Sequence, residues 1–345
     1  MAGGLGTRFW PISRAVRPKQ FLDLKNQGSS FLRQTYDRML SVIPQDNVIV
    51  VTLERYVETV KDILPEISDR NILVEPYNRD TAPCLAYASH YLLERDSGAV
   101  MIATPSDHLI PDTALFAQSV QKALDYATAH DNLVTLGVVP TRPDTNFGYI
   151  QVSGGAHIRF DKPVKVKTFT EKPDAETAAV FLQSGEFLWN SGIFITRASV
   201  ILEEMHKHAP LIAKLWDGNA SIFQIYTDCP RTSIDYAVME KTDRAMVFPV
   251  KFKWADIGNW DTLYENVSDL DDSGNAVRVR GKILLKEDSN NLVFSNKDGK
   301  LVAIKGLDNM VVVDSEDVLM ICPRNESEIK EFLSELVMPQ FEEFR

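Results

Sequence analysis

Three cysteines in 345 residues, Cys84, Cys229 and Cys322, are too few and too widely spaced for a disulfide framework or a thiolate metal site. Each reads as a small packed hydrophobe, and a reducing, cytoplasmic compartment is the simplest setting. No run of eighteen apolar residues occurs, which argues against a membrane-spanning helix, and no signal peptide or low-complexity segment is visible. Positive charge is also scarce. With 37 Lys and Arg against 48 Asp and Glu, the net charge is −11, and a general nucleic-acid binder would need a basic field. A small anionic substrate stays open, because a few cations and a divalent metal reverse the sign inside a cleft. What is present is an ordinary globular composition, 44% apolar and 25% charged, long enough for a large α/β domain with a smaller appendage.

From residue 47 onward, short apolar runs alternate with amphipathic segments. Strands are expected at 47–52, 71–75, 99–104 and 133–139, with helices at 54–64, 82–95 and 112–129. This βαβα alternation predicts a parallel sheet covered on both faces. After Pro140 the rhythm changes. Strands at 147–152 and 164–170, with Gly154 and Gly155 between them, read as an antiparallel insertion. A helix at 175–183, a strand at 192–196, helices at 198–208 and 233–241, a strand at 245–250 and a helix starting near Gly258 follow. The polar, turn-rich stretch 268–275 is the candidate linker, dividing the chain into 1–268 and 275–345. Beyond it lie short β-type runs at 282–285, 291–294, 301–304, 310–313 and 318–321, closed by a helix at 326–336. Regular short strands predict a small β-domain, like a coil of a β-helix.

The opening residues, MAGGLGTRFWPISRAVRPKQ, place Gly3, Gly4 and Gly6 in a turn whose N–H groups can meet phosphate oxygens with no Cβ in the way. It is not a P-loop, because no Gly-Lys-Ser/Thr follows, and it is not a clean dinucleotide fingerprint. Three glycines alone would be a surface turn; with Arg8 and Lys19 beside them, a phosphate site is the better reading. Such a turn normally hangs from a buried strand. Only two residues precede the glycines here, so a first strand is expected to be missing and the centre of the sheet to carry a gap.

Thr104-Pro105-Ser106-Asp107-His108 follows an apolar strand, where open α/β sheets bind ligands. Asp107 suits a Mg²⁺ ion bridging phosphates, or equally an Asx turn or helix cap. His108 is expected to be a structural neighbour rather than a base. Asp256, in WADIGNWD, ends another strand-like run and can converge on the same cleft, or cap the next helix. In FTEKP, Lys172 held by Pro173 suits a sugar phosphate and Glu171 suits sugar hydroxyls, although a surface turn would look the same. Gly148 and Asn190 add small and polar groups. Glu75 ends the strand-like run NILVE, and Asn78, Thr81 and Pro83 follow it.

In this order the elements resemble the sugar nucleotidylyltransferases. The forms GGLGTRFWPISR, RPKQF, EPYNRDTAP, NSGIF and WADIGNWDTLYE resemble the mannose-1-phosphate guanylyltransferase branch. The resemblance implies a Rossmann-like, GT-A-like nucleotide-diphospho-sugar transferase fold with a mixed, mainly parallel sheet. It implies Mg²⁺-dependent transfer of GMP from GTP to mannose-1-phosphate, giving GDP-mannose and pyrophosphate. Gly3, Gly4, Gly6, Thr7, Arg8 and Lys19 would then hold the triphosphate, with Ser106 bordering the nucleotide and Asp107 and Asp256 holding the metal. Lys172 would bind the sugar phosphate, and Glu171, Asn190 and Gly148 would orient the sugar. Glu75 would accept from N1–H and N2–H₂ of guanine, where adenine presents an acceptor at N1, in a pocket shaped by Asn78, Thr81 and Pro83. A homodimer is allowed for. The rivals are a relative using another sugar phosphate or nucleotide, and a non-catalytic nucleotide-sugar sensor. A second, isomerase activity is not expected, because the chain stops about where a metal-binding domain would begin and its tail has no His-x-His cluster.

Overall fold

The computed structural model covers residues 1–345 and describes all except 5, 27, 154–157, 161, 326–328, 330, 332 and 345. Gly154 and Gly155, expected at the turn of the insertion, lie outside the described residues. Strand β1 (Val50–Leu53) pairs in parallel with β2 (Ile72–Glu75), Val50 opposite Ile72. Next come β3 (Val100–Ala103), the two-residue β4 (His108–Leu109), β5 (Leu133–Val138), β6 (Tyr149–Val152), β7 (Val164–Thr170), β8 (Phe187–Arg197), β9 (Ala245–Val250) and the two-residue β10 (Ala255–Asp256). Six of them form one sheet in the order β3-β8-β5-β9-β7-β6, and β4 pairs with β10.

The sheet is mixed. β5 and β9 are parallel, and β3 runs the same way, but the long β8 lies between β3 and β5, antiparallel to both. Hydrogen-bonded neighbours are therefore more often antiparallel than the βα alternation predicts. The cause is connectivity, since β8 arrives from the 147–186 insertion rather than from a βαβ crossover. The expected strand at 192–196 is only its second half.

Among the described residues, the β1–β2 pair shares no ladder with the larger sheet. A cavity of about 430 Å³ lies between β1 and β3. Met1 and Ala2 bridge the two sheets beside it: Ala2 N–H donates to the Val51 carbonyl at 2.8 Å and the Met1 ammonium to Thr104 at 2.9 Å.

The helices follow local rules. Asp112 caps Thr113–Ala129 by accepting from Leu115 N–H, and Phe116, Val120, Ala123 and Ala127 recur on its buried face. Helix Ala175–Ser184 starts at the Asp174 cap and stops at Gly185, which takes the left-handed conformation at φ +66°. The helix expected at 233–241 is instead a single π-turn, Asp235–Met239. Helices Phe31–Leu40 and Ile222–Asp228 had no counterpart among the elements expected from the sequence. Among the described residues no helix is long and apolar enough to cross a membrane.

In the C-terminal region β11 (Ala276–Val279) precedes β12 (Lys282–Lys286), and β13 (Leu292–Ser295), β14 (Leu301–Lys305), β15 (Met310–Asp314) and β16 (Leu319–Pro323) follow. β11, β13 and β15 stack in parallel, β12 and β14 form a second parallel ladder, and β16 pairs antiparallel with β15. Of the helix expected at 326–336, part lies outside the described residues, and Glu335–Val337 is a 3₁₀ turn. These ladders share a core with the N-terminus. Phe9 and Phe294 both pack on Trp260, with ring centroids 5.0 and 5.5 Å away. Leu292, Val311 and Val313 join Trp10, Leu22 and Leu24 in the same buried cluster. Trp10 Nε1 donates to the Phe344 carbonyl at 2.6 Å, and Arg14 donates to the same oxygen.

Candidate active site

The glycine turn is shaped from below. Gln20 Nε2 donates to the carbonyls of Ala2 and Gly4 at 3.0 and 2.8 Å, and Asn78 Nδ2 to that of Gly3 at 2.8 Å. The loop carbonyls are thus engaged, while none of the described residues accepts from the N–H groups of Gly3 or Gly4. Unused N–H groups on one turn are what an anion needs. Gly6 is required by its φ of +41° and by crowding, since a Cβ there would lie 2.6 Å from Lys19 N. Thr7 opens the 3₁₀ turn Thr7–Phe9. Arg8 is exposed, with its guanidinium beside Gly258.

Lys19, 5% exposed, carries the most constrained charge in the site. Its ammonium lies 3.0 Å from Asp107 and 2.8 Å from Asp256. Burial opposes that charge, but the two carboxylates outweigh it and raise the lysine pKa. Burial likewise works against the Asp256 carboxylate, yet Lys19, His108 and Arg8 hold its pKa well below the ordinary range. The antiparallel pairing of Asp256 with His108 sets this geometry. His108 is pushed down by burial, and its Nδ1 accepts from Trp254 Nε1 at 3.2 Å, so it is a neutral neighbour of the carboxylates. Two carboxylates gathered on one ammonium can also face one divalent cation, with the all-oxygen donors that Mg²⁺ takes. Among the described residues no third His, Cys, Asp or Glu joins them as a metal-binding cluster, so phosphate and water oxygens would have to complete the shell.

Beside the turn is a cleft of about 320 Å³, lined by Gly3, Gly4, Glu75, Asn78, Thr81, Ser106, Asp107 and Arg231 among others. Glu75 is buried, with Oε1 accepting from Tyr226 O–H at 2.9 Å. Its Oε2 lies beneath Gly3, 2.9 Å from where a Cβ would be. Burial, partly offset by Tyr226, pushes this carboxyl up to about 7. Asp80, at φ +71°, caps the helix Thr81–Arg95, which carries Thr81 and the buried Pro83 in its first turn. Ser106 N–H donates to the Met1 carbonyl at 3.2 Å.

A second group surrounds Gly148. Asn190 N–H donates to the Gly148 carbonyl at 2.8 Å, and Glu171 lies so close that a Cβ on Gly148 would sit 2.4 Å from its Oε2. Lys172 takes φ +47° and reaches Glu171 Oε1 at 2.7 Å. A side-chain-bearing residue in that region stores roughly 1–3 kcal/mol of strain, a feature that clusters at functional sites. The structure thus gathers Glu75, Asn78, Thr81, Ser106 and Asp107 at one cleft, and Gly148, Glu171, Lys172 and Asn190 at a second position. Gln20, Tyr226, Arg231 and Asp235 were not singled out from the sequence. Only Gln20 lay within a quoted motif, RPKQF; the other three carry no local pattern.

Among the described residues, a glycine turn with unengaged Gly3 and Gly4 N–H groups thus lies near two carboxylates held on one lysine, an arrangement able to receive phosphate. The family model described as nucleotidyl transferase matches residues 1–273, and the chain belongs to that family. It is 36% identical over 359 residues to a mannose-1-phosphate guanylyltransferase of Klebsiella pneumoniae, covering 100% of this chain and 74% of that protein. It is 37% identical over 341 residues to the alginate biosynthesis protein AlgA of Pseudomonas putida, covering 94% and 68%. A solved structure described as mannose-1-phosphate geranyltransferase, from Thermus thermophilus, superposes with a TM-score of 0.88 at 29% identity over 98% of both chains.

Proposed function

We propose that this chain transfers GMP from GTP to mannose-1-phosphate, forming GDP-mannose and pyrophosphate. The observation that carries the reading is that the glycine turn and Asp107 line one cleft while Lys19 joins Asp107 to Asp256. The second pKa of a phosphate monoester is about 6, so the attacking oxygen is already ionised at neutral pH and needs no base. That oxygen forms a bond to the α-phosphorus as the bond to the β-phosphate oxygen breaks, and pyrophosphate leaves. The obstacle is repulsion between two polyanions, so catalysis consists of positioning and charge neutralisation.

In this reading Gly3, Gly4, Gly6 and Thr7 cradle the triphosphate, and Arg8 and Lys19 neutralise it. Asp107 and Asp256 would hold Mg²⁺, which supplies positive charge to the reacting phosphates when bound. Glu75 reads the guanine edge, with Asn78, Thr81, Pro83 and Ser106 around the nucleotide. Lys172 binds the sugar phosphate, and Gly148, Glu171 and Asn190 orient the sugar. Residues 1–268 are read as the catalytic domain and 275–345 as a short β-helix-like domain. A homodimer and a cytoplasmic setting belong to the same proposal.

The test is pyrophosphate release with GTP, Mg²⁺ and mannose-1-phosphate, beside Asp107→Asn and Asp256→Asn. Each variant is expected to lose at least about 3 kcal/mol of transition-state stabilisation, more than a hundredfold in rate. Wild-type activity that survives both substitutions would refute the proposed metal site. A wild-type chain inactive with this pair would refute the substrate reading. An unchanged preference for GTP over ATP in Glu75→Gln would remove the base-reading role.

A further inference from the structure

We infer that Asp235 is a positioning carboxylate on the sugar side of this site, holding Asn190 in place and accepting a hydroxyl of the bound sugar-1-phosphate. The inference rests on the functional reading above. Asp235 opens the π-turn Asp235–Met239, a rare helical form that recurs at functional sites. Just before it, Ile234 N–H donates to Thr81 Oγ1 at 2.9 Å, pinning the segment to the helix that lines the nucleotide cleft. Asp235 Oδ1 accepts from Asn190 Nδ2 at 3.0 Å. Asn190 Oδ1 accepts from Thr135 Oγ1 at 2.9 Å and from Gly192 N–H at 3.2 Å. The amide is therefore fixed in one orientation, with Asp235 as the partner of its donor end. Asp235 as a residue keeps partial exposure.

The charged groups facing Asp235 are Glu171 and Lys172 at the end of β7 and Asp80 before the helix Thr81–Arg95. Tyr236 is the adjoining titratable side chain. Burial first, and the nearby Glu171 second, push the Asp235 carboxyl up to about 7. At neutral pH the empty site then carries a proton there in about half of the molecules. Hydrogen bonds from Asn190 and from a sugar hydroxyl both favour the ionised form. Sugar binding therefore breaks the carboxyl O–H bond and releases that proton to solvent, while the hydroxyl keeps its own.

The experiment compares wild type, Asp235→Asn and Asp235→Glu. Titration calorimetry of mannose-1-phosphate at pH 7, with a non-hydrolysable GTP analogue present, counts protons released in buffers of differing ionisation enthalpy. Wild type is expected to release about half a proton more than Asp235→Asn, and Asp235→Glu to keep the release. In steady state, Asp235→Asn should raise KM for mannose-1-phosphate about tenfold while KM for GTP stays within about twofold. Between pH 7 and 6 the ionised fraction falls from about a half to about a tenth, so wild-type KM for the sugar phosphate should rise about fivefold more than that of Asp235→Asn. Equal proton release and equal pH dependence in wild type and Asp235→Asn overturn the inference, as does an equal loss of GTP and sugar affinity. If Asp235→Asn does not fold, Asp235→Glu decides, because loss of the proton release in it overturns the inference. A wild-type chain that does not use mannose-1-phosphate overturns the functional reading instead.

Discussion

Replacing Glu75 with glutamine isolates the energetic cost of one buried carboxyl. Glu75 is 4% exposed and its pKa rises from 4.5 to about 7, driven by burial. The folded chain therefore binds more protons than the unfolded chain between those values, and stability falls as pH rises through the window. The penalty is absent below about pH 4.5, grows to about pH 7 and is constant above. At 1.36 kcal/mol per unit it reaches roughly 3 kcal/mol. Glutamine has nearly the same shape, keeps an acceptor for Tyr226 O–H and does not titrate. Urea unfolding of both proteins at pH 5 and pH 8 is the assay. Asp235 titrates alike in both chains and cancels. The stability of Glu75→Gln relative to wild type should rise by about 2–3 kcal/mol from pH 5 to pH 8. A difference that stays within about 0.5 kcal/mol would show that Glu75 is not held above its ordinary range.

Lys19→Met leaves Asp107 and Asp256 facing each other without their cation; a loss of about 2–3 kcal/mol in urea unfolding at pH 7 is expected, reduced from the fully buried case because both carboxylates are about a third exposed. Pyrophosphate release should drop at least about a hundredfold in the same variant, and an unchanged rate would remove Lys19 from the mechanism. Gly148→Ala puts a methyl 2.4 Å from Glu171 Oε2, so KM for mannose-1-phosphate should rise about tenfold while KM for GTP holds; an equal rise in both would place Gly148 outside the sugar site. Trp260→Ala empties the contact between Phe9 and Phe294 and removes the 2.9 Å bond from Trp260 Nε1 to the Trp10 carbonyl. It should cost about 3–5 kcal/mol, read as a lowered midpoint in thermal or urea unfolding, and a loss below about 1 kcal/mol would contradict the shared core.

Elements with a strong local signal were legible in the sequence. The buried run Leu133–Val138 and the capped helix Thr113–Ala129 fall within a residue or so of expectation, because pattern and cap coincide there. β8 was half missed because Trp189-Asn190-Ser191-Gly192 breaks the apolar run that marks its second half. The π-turn at Asp235–Met239 shares its composition with an ordinary helix. In the site, Asp107, Lys19 and Asp256 were each visible as residues, but the ammonium lying between the carboxylates depends on the pairing of β4 with β10 across the chain. Tyr226 was invisible for the same reason, since its hydroxyl meets Glu75 across 151 positions.

The family match ends at residue 273, but the packing does not divide there. Cutting the chain at that point would strip Leu292, Phe294, Val311 and Val313 from beneath Phe9 and Trp260. It would also take away the Phe344 carbonyl that receives Trp10 and Arg14, a bond to Trp10 that spans 334 positions. Residues 1–273 are therefore not a portable module. A chimera that grafts residues 1–273 onto a foreign partner keeps its glycine turn in shape only if that partner presents an apolar face and an acceptor in the same places.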